Sequence, residues 1–107
     1  MLKVLIAAVL ATAAASPTLA NCYEDIGCDD SEVFSRSDLR DLDCDVLYEV
    51  RNAIYYQNGY CFKTERALDL FGDDECTVEE MADVRLNRFE KENVARISRV
   101  EKEFDCN

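Results

Sequence analysis

The feature that most constrains this chain is its set of six cysteines in only 107 residues. All of them follow an apolar amino-terminal stretch, and their positions are Cys22, Cys28, Cys44, Cys61, Cys76 and Cys106. An even number of cysteines behind an export signal predicts a disulfide framework, for which 15 pairings are formally possible. A thiolate metal site is less favoured, because no Cys-x-x-Cys spacing occurs. The hydrophobic core of a domain this small contributes little stability, so the sequence predicts a fold that depends on its disulfides.

Residues 1–20 have the pattern of a cleaved secretory signal peptide. Lys3 supplies a positive start, residues 4–15 are apolar, and small residues stand at the −3 and −1 positions of a cut before Asn21. The apolar run is shorter than the ~20 residues that cross a bilayer, so no membrane segment is expected after cleavage. We therefore expect an exported protein, either periplasmic or extracellular. Lipid attachment at Cys22 is the minor alternative, although it would leave an odd number of cysteines.

The charge and the absence of histidine exclude several classes of function. The chain has 23 acidic and 12 basic residues, a net charge of −11, and no histidine. Nucleic acid is therefore not expected as a partner, because phosphate binding needs clustered Lys and Arg. Catalytic pairs and zinc sites that use an imidazole are excluded as well. No cofactor is expected.

Periodicity and capping residues predict an all-α fold. Asp43 is placed to cap a long helix over about 43–58, in which Leu47, Val50 and Ile54 form one apolar face. The helix is expected to end at Gly59 in a left-handed conformation, which would fold the Tyr60 side chain back onto Tyr55. Ahead of it, Ser35 and Ser37 are candidate caps of a short helical turn.

The second half of the chain predicts another principal helix over about 88–104. The Asn87-x-x-Glu90 capping box begins it, and its apolar face consists of Val94, Ile97, Val100 and Phe104. Between the two long helices we expect a short helix from Glu65 to Phe71, capped by Thr64. Residues 73–86 are expected to form an acidic connection, with a turn at a second box, Thr77-x-x-Glu80. A sheet is not expected, and residues 21–34 are predicted to be an irregular, disulfide-linked loop ahead of a domain at 35–107.

Helix geometry narrows the disulfide pairing. Cys44 and Cys61 flank one helix, and at 1.5 Å per residue they lie too far apart to pair. If the two long helices pack antiparallel, Cys44 lies beside Cys106. The most economical remaining pairs are Cys61–Cys76 and Cys22–Cys28.

The segment Arg51-Asn52-Ala53-Ile54-Tyr55-Tyr56-Gln57-Asn58-Gly59-Tyr60-Cys61-Phe62 resembles the signature of the YARHG domain family. Further similarity extends over about residues 35–102. The resemblance implies a small module of exported bacterial proteins, with no established reaction. The chain departs from the family at the positions that name it, because Tyr56-Gln57-Asn58 stands where the motif reads Ala-Arg-His. Any role of that arginine or histidine is therefore not transferred to this chain.

Arg51, Asn52, Tyr55 and Tyr60 are the candidate binding residues within this motif. On a functional interpretation, Arg51 and Asn52 form the floor of a groove in which Tyr55 or Tyr60 provides a stacking surface. On a structural interpretation, Arg51 pairs with a carboxylate of the last helix, such as Glu101, and Asn52 hydrogen-bonds a loop backbone. The structural interpretation is favoured.

Three classes of function follow. The leading one is a non-catalytic envelope module that binds a cell-wall component or a protein, and exposed aromatic side chains around a groove would favour it. The second is a small secreted effector or inhibitor that presents the loop at 73–86. The third is a carboxylate-based hydrolase, which needs two carboxyl groups about 5 to 9 Å apart in a cleft. No metal site is expected, because Val46 and Asn52 replace the Gly and Glu that a calcium loop beginning at Asp41 would need.

Overall fold

The computed structural model describes residues 21–107. The predicted signal peptide, residues 1–20, lies outside the described residues. The elements are, in order, β1 (Cys22–Tyr23), β2 (Gly27–Cys28), α1 (Arg36–Leu39), α2 (Cys44–Gln57), α3 (Glu65–Phe71), a 3-10 turn (Met81–Asp83) and α4 (Arg88–Glu103). The described part of the chain is therefore mostly helical, with one small antiparallel hairpin.

Helices α2 and α4 form the centre of the fold. They run antiparallel. A disulfide joins the start of α2 to the residues after α4, and the end of α2 contacts the start of α4. The core between them is apolar and fully or almost fully buried, and its helical members are Leu47, Val50, Ile54, Ile97 and Val100. The predicted apolar faces are confirmed at these positions.

Phe104 is the exception to the predicted face of α4. The helix ends at Glu103, and Phe104 is its carboxyl-terminal cap. The chain then turns through Asp105 at a positive φ of 54°, which leaves the Phe104 side chain 40% exposed. The prediction that the apolar face continues to the end of the chain is therefore wrong.

Side-chain caps fix the start of each helix, as predicted. Each capping oxygen accepts a hydrogen bond from a backbone amide of the first turn, at 2.8 to 3.2 Å, and the four caps are Ser35, Asp43, Thr64 and Asn87. The Asn87 cap is a full capping box, because Glu90 Oε1 accepts in return from the Asn87 backbone amide at 2.8 Å. Of the two serine candidates for α1, Ser35 is the cap.

Residues 21–34 differ from the prediction of an irregular loop. Cys22 pairs with Cys28, and Tyr23 with Gly27, in the antiparallel hairpin of β1 and β2. Gly27 has φ of 107°, which a side chain would strain, and this conformation lets the chain reverse within five residues. The hairpin and the following residues also insert Ile26 and Phe34 into the core. Such two-residue strands carry no alternation pattern that sequence periodicity can detect.

The connection at 73–86 also differs from its prediction. Thr77 does not begin a helical turn; instead, the amides of Thr77 and Val78 both donate to the Gly59 carbonyl, at 2.8 and 2.9 Å. The Cys61 amide donates in turn to the Val78 carbonyl at 2.8 Å. The segment therefore runs extended beside the chain that leaves α2, and within residues 73–86 the helical turn is the 3-10 turn at Met81–Asp83.

The structure contains the disulfides Cys22–Cys28, Cys44–Cys106 and Cys61–Cys76. Cys44–Cys106 is the pair that antiparallel helix packing predicts, and the other two are those expected as the most economical remaining pairs. Each joins a different part of the fold: the hairpin, the two long helices, and the chain after α2 to the acidic connection. The last of these disulfides determines where the candidate site forms.

Candidate functional site

The carboxyl-terminal end of α2 forms a tight corner. Gly59 has φ of 90°, its amide donates to the Tyr56 carbonyl at 3.0 Å, and the Tyr60 amide donates to the Tyr55 carbonyl at 3.1 Å. This is the predicted left-handed helix end. A side chain at residue 59 would also collide with Thr77 Oγ1, which lies 2.8 Å from the position of its Cβ. The motif glycine is therefore required by backbone conformation and by close packing.

Five aromatic rings continue from this corner in one connected series. Tyr55 and Tyr60 meet edge to face with ring centroids 6.2 Å apart, as predicted, and Tyr60 meets Phe62 at 4.9 Å. Phe62 stacks on Phe71 at 5.1 Å, and Phe71 stacks on Tyr56 at 5.2 Å. These are favourable aromatic geometries, each adding about 1 kcal/mol beyond simple burial. The series passes through the buried Phe62 and ends at Tyr56, which is 46% exposed.

A cleft of about 230 Å³ opens at the exposed end of this series. One wall comes from the motif and consists of Tyr56, Gln57, Gly59 and Tyr60; the other comes from the end of α3 and the acidic connection and consists of Gly72, Asp73, Asp74, Glu75 and Cys76. The side chains of Asp73, Asp74 and Glu75 are exposed. The cleft therefore combines aromatic rings on one side with three carboxyl-bearing residues on the other.

Covalent and backbone contacts hold the acidic wall in place. The Cys61–Cys76 disulfide joins the two walls directly. One residue further on, the amides of Thr77 and Val78 donate to Gly59. The cleft is thus preformed, although its walls lie on different segments of the chain.

Arg51 belongs to the helix packing and not to the cleft. Its Nε lies 2.7 Å from Glu101 Oε1 and its Nη2 lies 3.1 Å from Glu101 Oε2, which makes a bidentate ion pair between α2 and α4. The side chains are only 24% and 11% exposed. This is the partner that the structural interpretation expects.

Asn52 also points away from the cleft. It is 4% exposed, and its Nδ2 donates to the Tyr48 carbonyl at 2.9 Å, one turn back in the same helix. The expectation of a hydrogen bond to a loop backbone is therefore wrong. An asparagine can reach the carbonyl four residues before it in its own helix, and Asn52 bonds that carbonyl.

We expect the Arg51–Glu101 pair to be important for stability. Replacing Arg51 with Met should lower the free energy of unfolding by about 2 kcal/mol, because Glu101 is left in a largely buried position without its partner. Urea unfolding measures the loss. Lys63→Met is the matched control, since its pair with Glu79 is exposed, and it should cost less than about 0.5 kcal/mol. Equal losses in the two variants would contradict this assignment.

Of the four candidate binding residues, only Tyr60 lines the cleft. Tyr55 contacts Tyr60 edge to face, Arg51 joins α2 to α4, and Asn52 bonds within α2. Sequence reasoning missed Tyr56, Gln57 and the acidic wall as parts of one site. The available signal was the exchange of the motif alanine for Tyr56, which places a large aromatic ring on an exposed position of α2.

Asn58 stands at the position of the motif histidine. Its Nδ2 donates to Glu90 Oε2 at 3.0 Å and to the Ile54 carbonyl at 2.8 Å. Glu90 is 6% exposed and also closes the capping box of α4. The amide therefore supplies the donor that joins the end of α2 to the start of α4.

Within residues 21–107, no group of three or more Cys, Asp or Glu side chains is arranged to hold a metal ion. Within the same residues, no helix combines the length and the apolar character that crossing a membrane demands.

The fold and the corner define a small helical module that is held together by disulfides. Residues 27–102 match the family model of the YARHG domain, and the chain belongs to the YARHG family. The match begins in β2, so the family segment includes part of the hairpin. YARHG is an exported type of domain, and three disulfides fit an extracellular or periplasmic location. No curated protein and no solved structure matches the chain.

Proposed function

We propose that this protein is an exported, non-catalytic binding module whose cleft takes a cationic group from a cell-wall component or a protein partner. The observation that carries the proposal is the meeting of Tyr56 and Tyr60 with Asp73, Asp74 and Glu75 around one preformed opening. Aromatic faces and carboxylates both attract ammonium and guanidinium groups. The net charge of −11 adds long-range attraction for a basic partner.

The size of the cleft indicates what enters it. Pockets for drug-sized molecules measure about 300 to 1,000 Å³, and this one measures about 230 Å³. It suits a single side chain or head group and not a folded substrate. A lysine or arginine side chain of a protein and the free amine of a cell-wall peptide share this chemistry.

The position of the acidic segment supports a binding module over an inhibitor that presents a loop. The Cys61–Cys76 disulfide and the hydrogen bonds from Thr77 and Val78 to Gly59 hold the start of this segment against the corner. Residues that are tied down in this way form a wall of a cleft. An inhibitory loop would instead present them at a free tip.

Replacing Tyr56 with Ala should weaken the binding of lysine-containing peptides about fivefold, the effect of losing a cation–π contact worth ~1 kcal/mol. Phe104→Ala is the matched control, because Phe104 is an aromatic residue 40% exposed on another part of the surface. Calorimetric titration measures both affinities. An unchanged affinity in the Tyr56 variant, or an equal loss in the two variants, would contradict the proposed cleft.

A second pair of variants separates the acidic wall from the overall charge. Asp73→Asn/Asp74→Asn and Asp25→Asn/Asp41→Asn change the net charge equally, and all four side chains are exposed. Only the first pair touches the cleft, so only the first should weaken peptide binding. Equal losses would show that the net charge alone attracts the peptide.

The natural source of the cationic group requires a separate measurement. The mature protein, immobilised, should recover a component from an envelope extract or bind isolated peptidoglycan. Protein recovered from the extract but no retention on peptidoglycan would assign a protein partner, and the reverse would assign the cell wall. Recovery of neither would refute the proposed function.

A further inference from the structure

Asp29 is the buried polar group that the fold leaves without a side-chain partner. The residue is 0% exposed, and neither carboxyl oxygen makes a hydrogen bond within the described residues. Its backbone is fully used: the amide donates to the Asn21 carbonyl at 2.9 Å, and the carbonyl accepts from Asn93 Nδ2 at 3.0 Å. None of the ion pairs within residues 21–107 includes it. A buried carboxyl group in this state costs free energy unless it is neutralised or paired.

The groups around Asp29 add to this cost. Burial, and after it the negative charges of Asp30 and Glu90, raise the pKa of the Asp29 carboxyl to about 7, although the Asn21 side-chain amide, acting as a donor, opposes part of the rise. Tyr23 on the same hairpin stays neutral, because burial and the Asp29 charge raise its pKa to about 12. No positively charged side chain of residues 21–107 is among the groups that shift the pKa of Asp29.

Asn21 lies directly across the hairpin from Asp29. The register pairs Cys22 with Cys28, so the next pair outward is Asn21 with Asp29, and the Cys22–Cys28 disulfide locks that register. Residues that face each other in an antiparallel pair have their Cα atoms about 5 Å apart. Asn21 also borders an open recess of about 360 Å³, with Asp30 and Glu90 on its other sides. A charged nitrogen at Asn21 would therefore lie among carboxylates while retaining contact with water.

We propose that the α-amino group released by cleavage before Asn21 is the counter-charge of the buried Asp29 carboxylate. The proposal rests on the export and cleavage expected for this protein. In the precursor the Asn21 nitrogen is an uncharged amide with one hydrogen. After cleavage it is an ammonium group with three donors, beside a carboxylate that has none.

Cleavage is then a step that stabilises the fold as well as one that releases the chain. The ammonium group holds β1 to β2 through its pair with Asp29. The Asp29 carbonyl in turn accepts from Asn93, so the pair also stabilises the contact of the hairpin with α4. An opposite charge within about 4 to 6 Å moves a carboxyl pKa by 1 to 3 units, and each unit is tenfold in the folding equilibrium constant. The mature amino terminus is thereby part of the folded domain.

The test compares the exported protein with the same protein after its terminal amine is removed. Pyridoxal-phosphate transamination converts that amine into a carbonyl group and leaves lysines intact, and Asp29→Asn supplies a second background. In the parent, transamination should reduce the folding equilibrium constant at least about tenfold at pH 7. In Asp29→Asn the reduction should be less than about twofold. Equal reductions in both backgrounds, or none in the parent, would overturn the proposal.

The pH dependence supplies an independent readout. With the amine removed, the free energy of unfolding should fall as the pH rises from about 4 to about 7. In this range the carboxyl group is ionised in the unfolded chain, whereas its raised pKa of about 7 keeps it protonated in the folded chain. With the amine present, that fall should disappear. It should be replaced by a loss above about pH 8, where the ammonium group gives up its proton. The same acidic fall in both forms would overturn the pairing.

Mass spectrometry of the exported protein determines where its chain begins. A start at Asn21 is the expected result, and a start elsewhere would overturn this proposal. That outcome would leave the binding tests of the cleft unaffected. Failure of the cleft and failure of the amino-terminal pair are therefore distinguishable.

Discussion

Replacing both Cys44 and Cys106 with Ser is expected to lower the free energy of unfolding by about 4 kcal/mol. This disulfide joins residues 62 positions apart, so its removal restores the most conformational freedom to the unfolded chain. It also joins the start of α2 to the residues after α4, and those helices supply most of the core. Loss of a native disulfide often abolishes the folding of a small secreted domain at 37 °C, so the variant should be largely unfolded near that temperature. Thermal unfolding followed by circular dichroism measures the loss.

The other two disulfides are the controls for this result. Replacing Cys61 and Cys76, which are 15 residues apart, should cost about 3 kcal/mol, and replacing Cys22 and Cys28, which are 6 apart, about 2 kcal/mol. The order of the three losses should follow loop length. If the Cys22–Cys28 variant proved the least stable of the three, loop entropy would not be the main contribution of the disulfides.

The second large effect is expected at Asn93, which is completely buried on α4. Its Oδ1 accepts from the Phe34 amide at 2.8 Å, and its Nδ2 donates to the carbonyls of Asp29 and Glu32 at 3.0 and 2.8 Å. Asn93→Leu keeps the volume but leaves three backbone groups without this partner. We expect a loss of about 3 kcal/mol, since each unsatisfied buried group costs ~1–3 kcal/mol. Urea unfolding measures it.

Asn52 is the matched control for Asn93. It is also buried, at 4% exposure, but it donates only to the Tyr48 carbonyl, which already belongs to the hydrogen-bond ladder of α2. Asn52→Leu should therefore cost less than about 1 kcal/mol. Similar losses in the two variants would show that Asn93 does not stabilise the segment that contains Asp29, Glu32 and Phe34.

The helices could be predicted because their signals are local. Capping by Asp43 and Asn87 depends on residues within one turn, and the apolar faces follow the helical period. The helix lengths then excluded Cys44–Cys61, so the pairing of Cys44 with Cys106 followed from packing.

The hairpin and the acidic connection could not be predicted in the same way. The strands at Cys22 and Gly27 are two residues long, too short for an alternation pattern. Thr77 resembles the start of a helix, but its amide is bonded to Gly59, a partner 18 residues earlier that no local signal specifies. Contacts between distant segments overrode the local preference.

The candidate site was predictable only on one wall. The Tyr55–Tyr60 contact follows from the geometry of a helix that ends in glycine. The other wall is acidic and exposed, and its residues have the composition of an ordinary solvated surface. The Cys61–Cys76 disulfide and the hydrogen bonds from Thr77 and Val78 to Gly59 bring that surface to the tyrosines, and six cysteines alone do not fix the pairing.

Amide NMR during titration with a lysine-containing peptide tests the proposal that the cleft beside Gly59 binds a cationic group. We expect the shifts to concentrate at Tyr56, Gln57, Tyr60 and the acidic wall, and acetylation of the lysine amine to abolish them. Shifts spread over the whole acidic surface, or shifts that survive acetylation, would contradict the claim.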